Sequence, residues 1–158
     1  MIFVTVGMHS QPFDRLIKKM DLIGKSSNVV MQIGCSTYKP VYASYFDYDT
    51  EENLLSLVHS SDVVVSHAGV GSTLAVLKYR KPLIIVPRLS SYGEHYDDHQ
   101  LDLAEFLSNA NIARACLNLE QLDALIKDSL LNVSYTQQNS LTESLSSLLD
   151  KWNSEGMM

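Results

Sequence analysis

The sequence predicts an α/β domain, a Rossmann-like parallel sheet with helices on both faces. Three observations lead there. Short apolar runs of strand length alternate with amphipathic stretches of helical length, the pattern of βα units. The run Val63-Val64-Val65 is β-branched throughout, as suits a strand buried on both faces. The chain has 158 residues, 46% hydrophobic and 19% charged, enough for one domain with a packed core.

The elements follow in order. Residues 2–6 make a first strand that ends at Gly7, and Pro12 opens a helix with Phe13, Leu16, Ile17 and Met20 at helical spacing. Residues 29–33 make a second strand ending at Gly34. Residues 41–46 make a third, with alternating aromatic and small side chains. A helix carrying Leu54, Leu55 and Val58 leads to the strand at 62–66, the expected centre of the sheet. After residues 67–73 come a helix with Leu74, Val76 and Leu77 and a strand at 83–86. A loop over 87–96 precedes a helix with Leu101, Leu103, Ala104, Phe106 and Leu107. The last βα unit is 113–116 followed by 119–131. The domain therefore spans 1–131, a polar linker 132–139, and a final helix 140–153 with Leu141, Leu145, Leu148, Leu149 and Trp152 on one face, to pack on the domain or on a partner.

Composition excludes several functions. Formal net charge is −6 and no Lys/Arg-rich run occurs, so nucleic acid is not an expected partner. The opening residues have no basic segment and only a short apolar stretch, which makes them a strand and not a signal peptide. No run of about 18 apolar residues occurs that would span a bilayer. Any membrane role is expected to be peripheral or to run through a partner. Cys35 and Cys116 each follow an apolar run, as buried structural cysteines do, and the expected compartment is a reducing cytoplasm.

Two constellations carry chemistry. Phosphates bind where a strand ends in a glycine turn that opens a helix, because free N–H groups and the helix dipole converge there. His67-Ala68-Gly69-Val70-Gly71-Ser72-Thr73 has that layout, with hydroxyls in the first helical turn. The alternative is a plain βα turn capped by Ser72. His67 can bind a diphosphate, move a proton or simply hold the loop by hydrogen bonds. The second constellation is the loop 87–100, dense in Arg88, Glu94, His95, Asp97, Asp98, His99 and Gln100. Arg88 suits phosphate, and His99 and Gln100 suit sugar hydroxyls. The alternatives are a capping box of Asp97 and Gln100, or a metal held by His95, His99 and Asp98. A third ligand group at recognisable spacing is missing, so no metal is expected. Gly7 and Ser36, on loops that also end strands, form the opposite rim, where plain turns are the alternative.

Taken together, residues 3–7, 66–73, 81–88 and 98–101 (FVTVG, SHAGVGST, KPLIIVPR and DHQL) resemble the glycosyltransferase family 28 C-terminal domain. The resemblance covers about residues 1–130. It extends to the soluble subunits of two-component transferases, both the dolichol-pathway subunit and the bacterial exopolysaccharide or capsule type. The stretch 86–100 favours the bacterial type.

The resemblance implies the donor half of a GT-B enzyme: an inverting transferase subunit that works without metal or cofactor and passes a sugar from a UDP-sugar to a lipid-linked sugar acceptor. It implies a membrane-anchored acceptor-binding subunit that recruits this chain from the cytoplasm to the cytosolic membrane face. Gly69 to Thr73 would hold the diphosphate, with His99 and Gln100 on the sugar. The catalytic base is expected on the partner, with His9 or His67 as candidates here. Relatives commonly carry a ribose-binding Glu where this chain has Ala75, which leaves Glu94 as a substitute and a non-catalytic sugar-nucleotide-binding or regulatory module as the rival reading.

Overall fold

The computed structural model describes residues 1–132. Its six strands are β1 (Ile2–Thr5), β2 (Val29–Gln32), β3 (Ser44–Phe46), β4 (Val63–His67), β5 (Leu83–Val86) and β6 (Arg114–Ala115). They pair in parallel, in the order β3-β2-β1-β4-β5-β6. Five helices connect or follow them: α1 (Asp14–Ile23), α2 (Glu51–Ser60), α3 (Val70–Lys78), α4 (His99–Asn109) and α5 (Leu122–Leu131).

Two apolar cores follow from the period of two in a strand. Val63 and Val65 of β4 face one core, with Phe13, Leu16, Ile17 and Met20 of the α1 region and Leu122 and Ile126 of α5. Val64 faces the other, with Val58 of α2, Val76 and Leu77 of α3 and Leu103, Ala104 and Leu107 of α4. All five residues of β4 are buried, and β4 lies between β1 and β5, as the β-branched run predicts. Among the described residues no helix is long and apolar enough to cross a membrane.

Three expectations change. The third strand is three residues long, not six, because the Asp21 carboxylate takes the N–H groups of Val41, Tyr42 and Ala43 at 2.8–3.1 Å. Backbone donors held by a side chain are lost to a ladder. Burial pushes the Asp21 carboxyl up, but those N–H groups and the Tyr38 hydroxyl outweigh it and leave the group below the usual carboxylate range. Cys35 is exposed rather than buried: it follows Gly34, whose φ of +54° turns the chain outward, and its Sγ lies 2.8 Å from the Tyr48 hydroxyl. Cys116 is buried as expected, and burial pushes its thiol up to about 11. Asn132 follows α5, whereas the rest of the 132–139 linker and the 140–153 helix lie outside the described residues.

Candidate functional site

The strand order reverses between β1 and β4: connections run outward through β2 and β3, then through β5 and β6. In such sheets the crevice at the carboxyl ends of the strands on either side of the reversal is where ligands bind. Three loops meet there, after β1 (Gly7 onward), after β4 (Ala68-Gly69) and after β5 (Pro87 onward).

The glycine turn is shorter than the sequence suggests. Helix α3 already begins at Val70, so Gly71, Ser72 and Thr73 are helical and the turn is only Ala68-Gly69. Thr73 N–H returns to the Gly69 carbonyl at 2.9 Å. The N–H groups of Val70, Gly71 and Ser72 fall before that bond, and Gly69 has no side chain to cap them. The Thr73 hydroxyl is fully buried and has no hydrogen-bond partner among the described residues. Gly71 is exposed, and a Cβ there would meet nothing within 4 Å. A helix start with uncapped donors and positive dipole suits an anion.

His67 closes the turn from below. Its ring lies between Gly7 and Gly69: a Cβ on Gly7 would approach ring Cε1 and Nε2 to 2.5 Å, and one on Gly69 would reach Nε2 at 2.1 Å. Gly7 also has φ +73°. Both glycines leave room for the imidazole. Burial, and next the Arg88 charge, push the His67 pKa down to about 4, so the ring is neutral near pH 7. The Thr5 carbonyl pulls the other way without reaching good hydrogen-bond geometry, and Nδ1 has no partner among the described residues.

One organising residue has no place in the sequence reading. Gln32, buried at the end of β2, accepts the Thr5 hydroxyl at 2.7 Å and the N–H groups of Val6 and Gly7 at 3.1 and 3.2 Å. Its Nε2 donates to the Gly7 carbonyl at 2.8 Å. A single side chain thus shapes the exit of β1. The available signal was a polar residue closing an apolar run at a carboxyl end.

Beside the α3 N-terminus lies a cleft of about 430 Å³. Leu54, Leu55 and Val58 of α2 form one wall, Gly71, Ser72, Ala75 and Val76 of α3 the other, and Phe3 and Thr5 the floor. Asp49 and Glu51 add carboxylates. The apolar walls of α2 were not among the residues expected at the site.

The loop after β5 divides its polar residues between scaffold and surface. Arg88 is 1% exposed and does not face the cleft. Its guanidinium donates to the carbonyls of Val6 (2.8 Å), Gln11 (2.9 Å) and Glu94 (3.1 Å) and lies 4.7 Å from the Phe13 ring. Burial pulls its pKa down to about 10, with Glu94 opposing. The expected phosphate ligand is a clamp between the β1 and β5 loops. Glu94, offered as a substitute for the missing ribose contact, is buried and takes a two-pronged bond from Arg15, both at 2.9 Å. A carboxylate so paired has little left for a ribose. Ser36 accepts the Phe13 N–H at 3.1 Å, starting α1 instead of meeting a ligand.

Asp98 accepts the Ser90 N–H at 2.8 Å. The capping box does not form: Asp97 accepts the His99 N–H, two residues on, at 3.1 Å instead of that of Gln100, and Gln100 turns its carbonyl to the Arg88 N–H at 3.0 Å. His99 is exposed at the start of α4. His95 lies at the rim, its ring 4.7 Å from that of His9, which follows Gly7 by two residues.

Comparisons with known proteins give the family and the fold. Residues 1–151 match the model of the glycosyltransferase family 28 C-terminal domain. The human UDP-N-acetylglucosamine transferase subunit ALG13 is 33% identical over 120 residues, covering 67% of this chain and 10% of that protein. The Cryptococcus neoformans ALG13 subunit is 35% identical over 104 residues, 65% of this chain and 40% of that protein. This chain thus spans a tenth of the human relative and two fifths of the fungal one. Among solved structures, that of ALG13 superposes with a TM-score of 0.56 at 21% identity, covering 82% of this chain and 85% of that one. That of Acinetobacter baumannii MurG superposes at 0.57 with 19% identity, covering 94% and 49%. At those identities the structures speak for the fold.

Proposed function

The chain belongs to the glycosyltransferase family 28 C-terminal domain family, and on that premise we propose that it is the donor-binding subunit of an inverting glycosyltransferase that uses a UDP-sugar. The observation that carries the reading is the α3 N-terminus. Uncapped N–H groups at Val70, Gly71 and Ser72 face a place where glycine admits close approach, beside a cleft with apolar walls. That combination suits a diphosphate attached to a flat, largely apolar body, which is what a nucleoside diphosphate is.

In this reading the diphosphate lies on Gly69 to Thr73. The Thr73 hydroxyl and the helix dipole offset charge that grows on the leaving group. The nucleoside occupies the cleft between α2 and α3, where Ala75 presents a methyl group, and Glu51 or Asp49 replaces Glu94 as the carboxylate near the ribose. His99 and Gln100 at the start of α4 face the sugar. Arg88, buried within the carbonyls of three loops, acts at a distance: it lends positive potential to the crevice and holds its walls together. His67 stays neutral and keeps Gly7 and Gly69 in place.

A relative named as a subunit supports a division of labour. The acceptor, a lipid-linked sugar in polysaccharide or glycan synthesis, is held by a membrane-anchored partner that brings this chain to the cytosolic membrane face. The test is to express the chain alone and with its partner and to measure transfer from UDP-N-acetylglucosamine and other UDP-sugars to extracted lipid. Transfer is expected only from the pair. Transfer by the single chain contradicts the division of labour, and UDP binding without transfer by the pair favours a binding module.

A further inference from the structure

Methionine and tyrosine gain when their apolar area leaves water, yet the mouth of the crevice keeps several of them in it. Met8 is 85% exposed and Tyr96 77% exposed, on the loops after β1 and β5. Single exposed apolar side chains are ordinary on a surface, but these belong to one cluster. Met8 precedes His9, whose ring lies 5.5 Å from that of Tyr96 and 4.7 Å from that of His95. Tyr92, also exposed, stands on the same loop as Tyr96 with the Arg15 guanidinium 4.8 Å from its ring.

The patch is held in place from beneath. The Arg88 guanidinium donates to the carbonyls of Val6, Gln11 and Glu94, so it ties the loop of Met8 and His9 to the loop of Tyr96. The Gln11 N–H donates to His9 Nδ1 at 3.2 Å and fixes that ring. Aromatic side chains have few rotamers to lose on binding, and aromatic residues and methionine are enriched where proteins meet.

Charge decides between occupants. The sequence has no lysine or arginine from 89 to 113, and Asp97, Asp98 and Asp102 border the patch at the start of α4, the last two exposed. An anionic lipid surface is repelled by such a border. A second copy docking through the same patch would set like charges against each other. A different protein, apolar at the centre of its face and rich in lysine or arginine at the edge, fits. Met8 points to which protein. It also lines the cleft, with Gly7, His67 and Gly69, so patch and donor site share a side chain.

We infer that this patch is the docking face for the acceptor-binding subunit, and that docking over Met8 closes the donor cleft. The inference rests on the division of labour proposed above: an acceptor hydroxyl must reach a sugar held at the crevice, so the protein that presents it covers the crevice mouth. Tyr96 is the anchor that enters a pocket on the partner, and the carboxylates at the start of α4 meet its basic edge. With Met8 pressed into the cleft, UDP binds more tightly, and by linkage UDP tightens the partner by the same factor.

The test uses the full chain and the membrane-anchored subunit that supports transfer from a UDP-sugar when co-expressed with it. Amide hydrogen exchange of the unaltered chain should slow at residues 8–10 and 92–98 when that subunit is added, a readout that needs no variant to fold. Tyr96→Ala should weaken the pair by about tenfold or more, yet leave the melting temperature and the UDP affinity of the chain alone unchanged, as suits so exposed a side chain. Saturating UDP should tighten the pair at least about fivefold, and Met8→Ser should remove most of that coupling. Protection confined to another face, a Tyr96→Ala pair within about threefold of the unaltered affinity, or equal affinities with and without UDP overturns the inference. So does protection of the same residues by a second copy of the chain in the partner's absence. If no subunit supports transfer, or UDP fails to bind the unaltered pair, the proposed function falls instead, and this inference with it.

Discussion

Replacing Gly69 with alanine probes the His67 wedge without disturbing the backbone. Gly69 has φ −95° and ψ 136°, a conformation open to any residue, so no strain arises from the main chain. The whole effect comes from the new Cβ, 2.1 Å from His67 Nε2 and 2.8 Å from Cδ2. Ordinary contact begins near 3.4 Å. The ring must retreat by more than an ångström in a space that Gly7 already bounds on its other side.

Overpacking of this kind costs about 1–3 kcal/mol. For a domain of this size that lowers the melting temperature by roughly 3 to 10 °C. The cause is tested by a double-mutant cycle read by urea unfolding: with His67→Ala already present, Gly69→Ala should cost little. A coupling of about 1 kcal/mol or more is expected for groups in contact. Additive effects, or a Gly69→Ala variant as stable as the unaltered chain, would refute the wedge.

Further outcomes follow from the same structure. Gly71→Ala, with nothing within 4 Å of its new methyl, should keep or raise stability by up to about 1 kcal/mol, as alanine does in a helix, yet weaken UDP binding at least about tenfold; calorimetry of both properties checks it. His67 has a folded pKa of about 4 against 6.5 when exposed, so the unfolded chain binds the extra proton between those values. Stability should be intact above pH 6.5 and fall as pH drops towards 4, by at most about 3 kcal/mol, and His67→Gln should flatten that slope. Asp21→Asn should release the 41–43 backbone and remove the part of acid sensitivity that appears as pH falls through the depressed Asp21 pKa, seen in urea midpoints at pH 7 and pH 3. Arg88→Met should destabilise the fold and spread amide shift changes over the loops after β1 and β5, since the guanidinium donates to carbonyls in both.

Legibility differed between backbone and side chains. The alternation of apolar runs and amphipathic stretches located each β-strand and α-helix among residues 1–132, because sheet and helix each impose a period on burial. The third strand failed where a distant carboxylate, Asp21, claimed its N–H groups, and periodicity carries no trace of that. Gly69 and Gly71 were visible because a glycine turn between strand and helix has one well-understood use. Their distinct roles, one fitted to His67 and one facing open space, needed coordinates.

The polar loop after β5 was hardest to sort. Arg88 and Glu94 have the same chemistry whether they meet a ligand or the protein's own groups, and only burial and partners assign them to the scaffold. Gln32 was passed over because it closes an apolar strand, although its amide organises the exit of β1. The α2 wall of the cleft was passed over because leucines at helical spacing look like core.

The central claim is that Gly69 to Thr73 holds the diphosphate of the donor. UDP titrated to millimolar concentration into the ¹⁵N-labelled chain, alone and bound to its partner, tests it most directly. The amides of Val70, Gly71 and Ser72 should shift most, with Gly7 and residues of the α2 wall following, and the partner should tighten the response. Saturation with those three amides unmoved in both samples, or shifts confined to another face of the sheet, would contradict it.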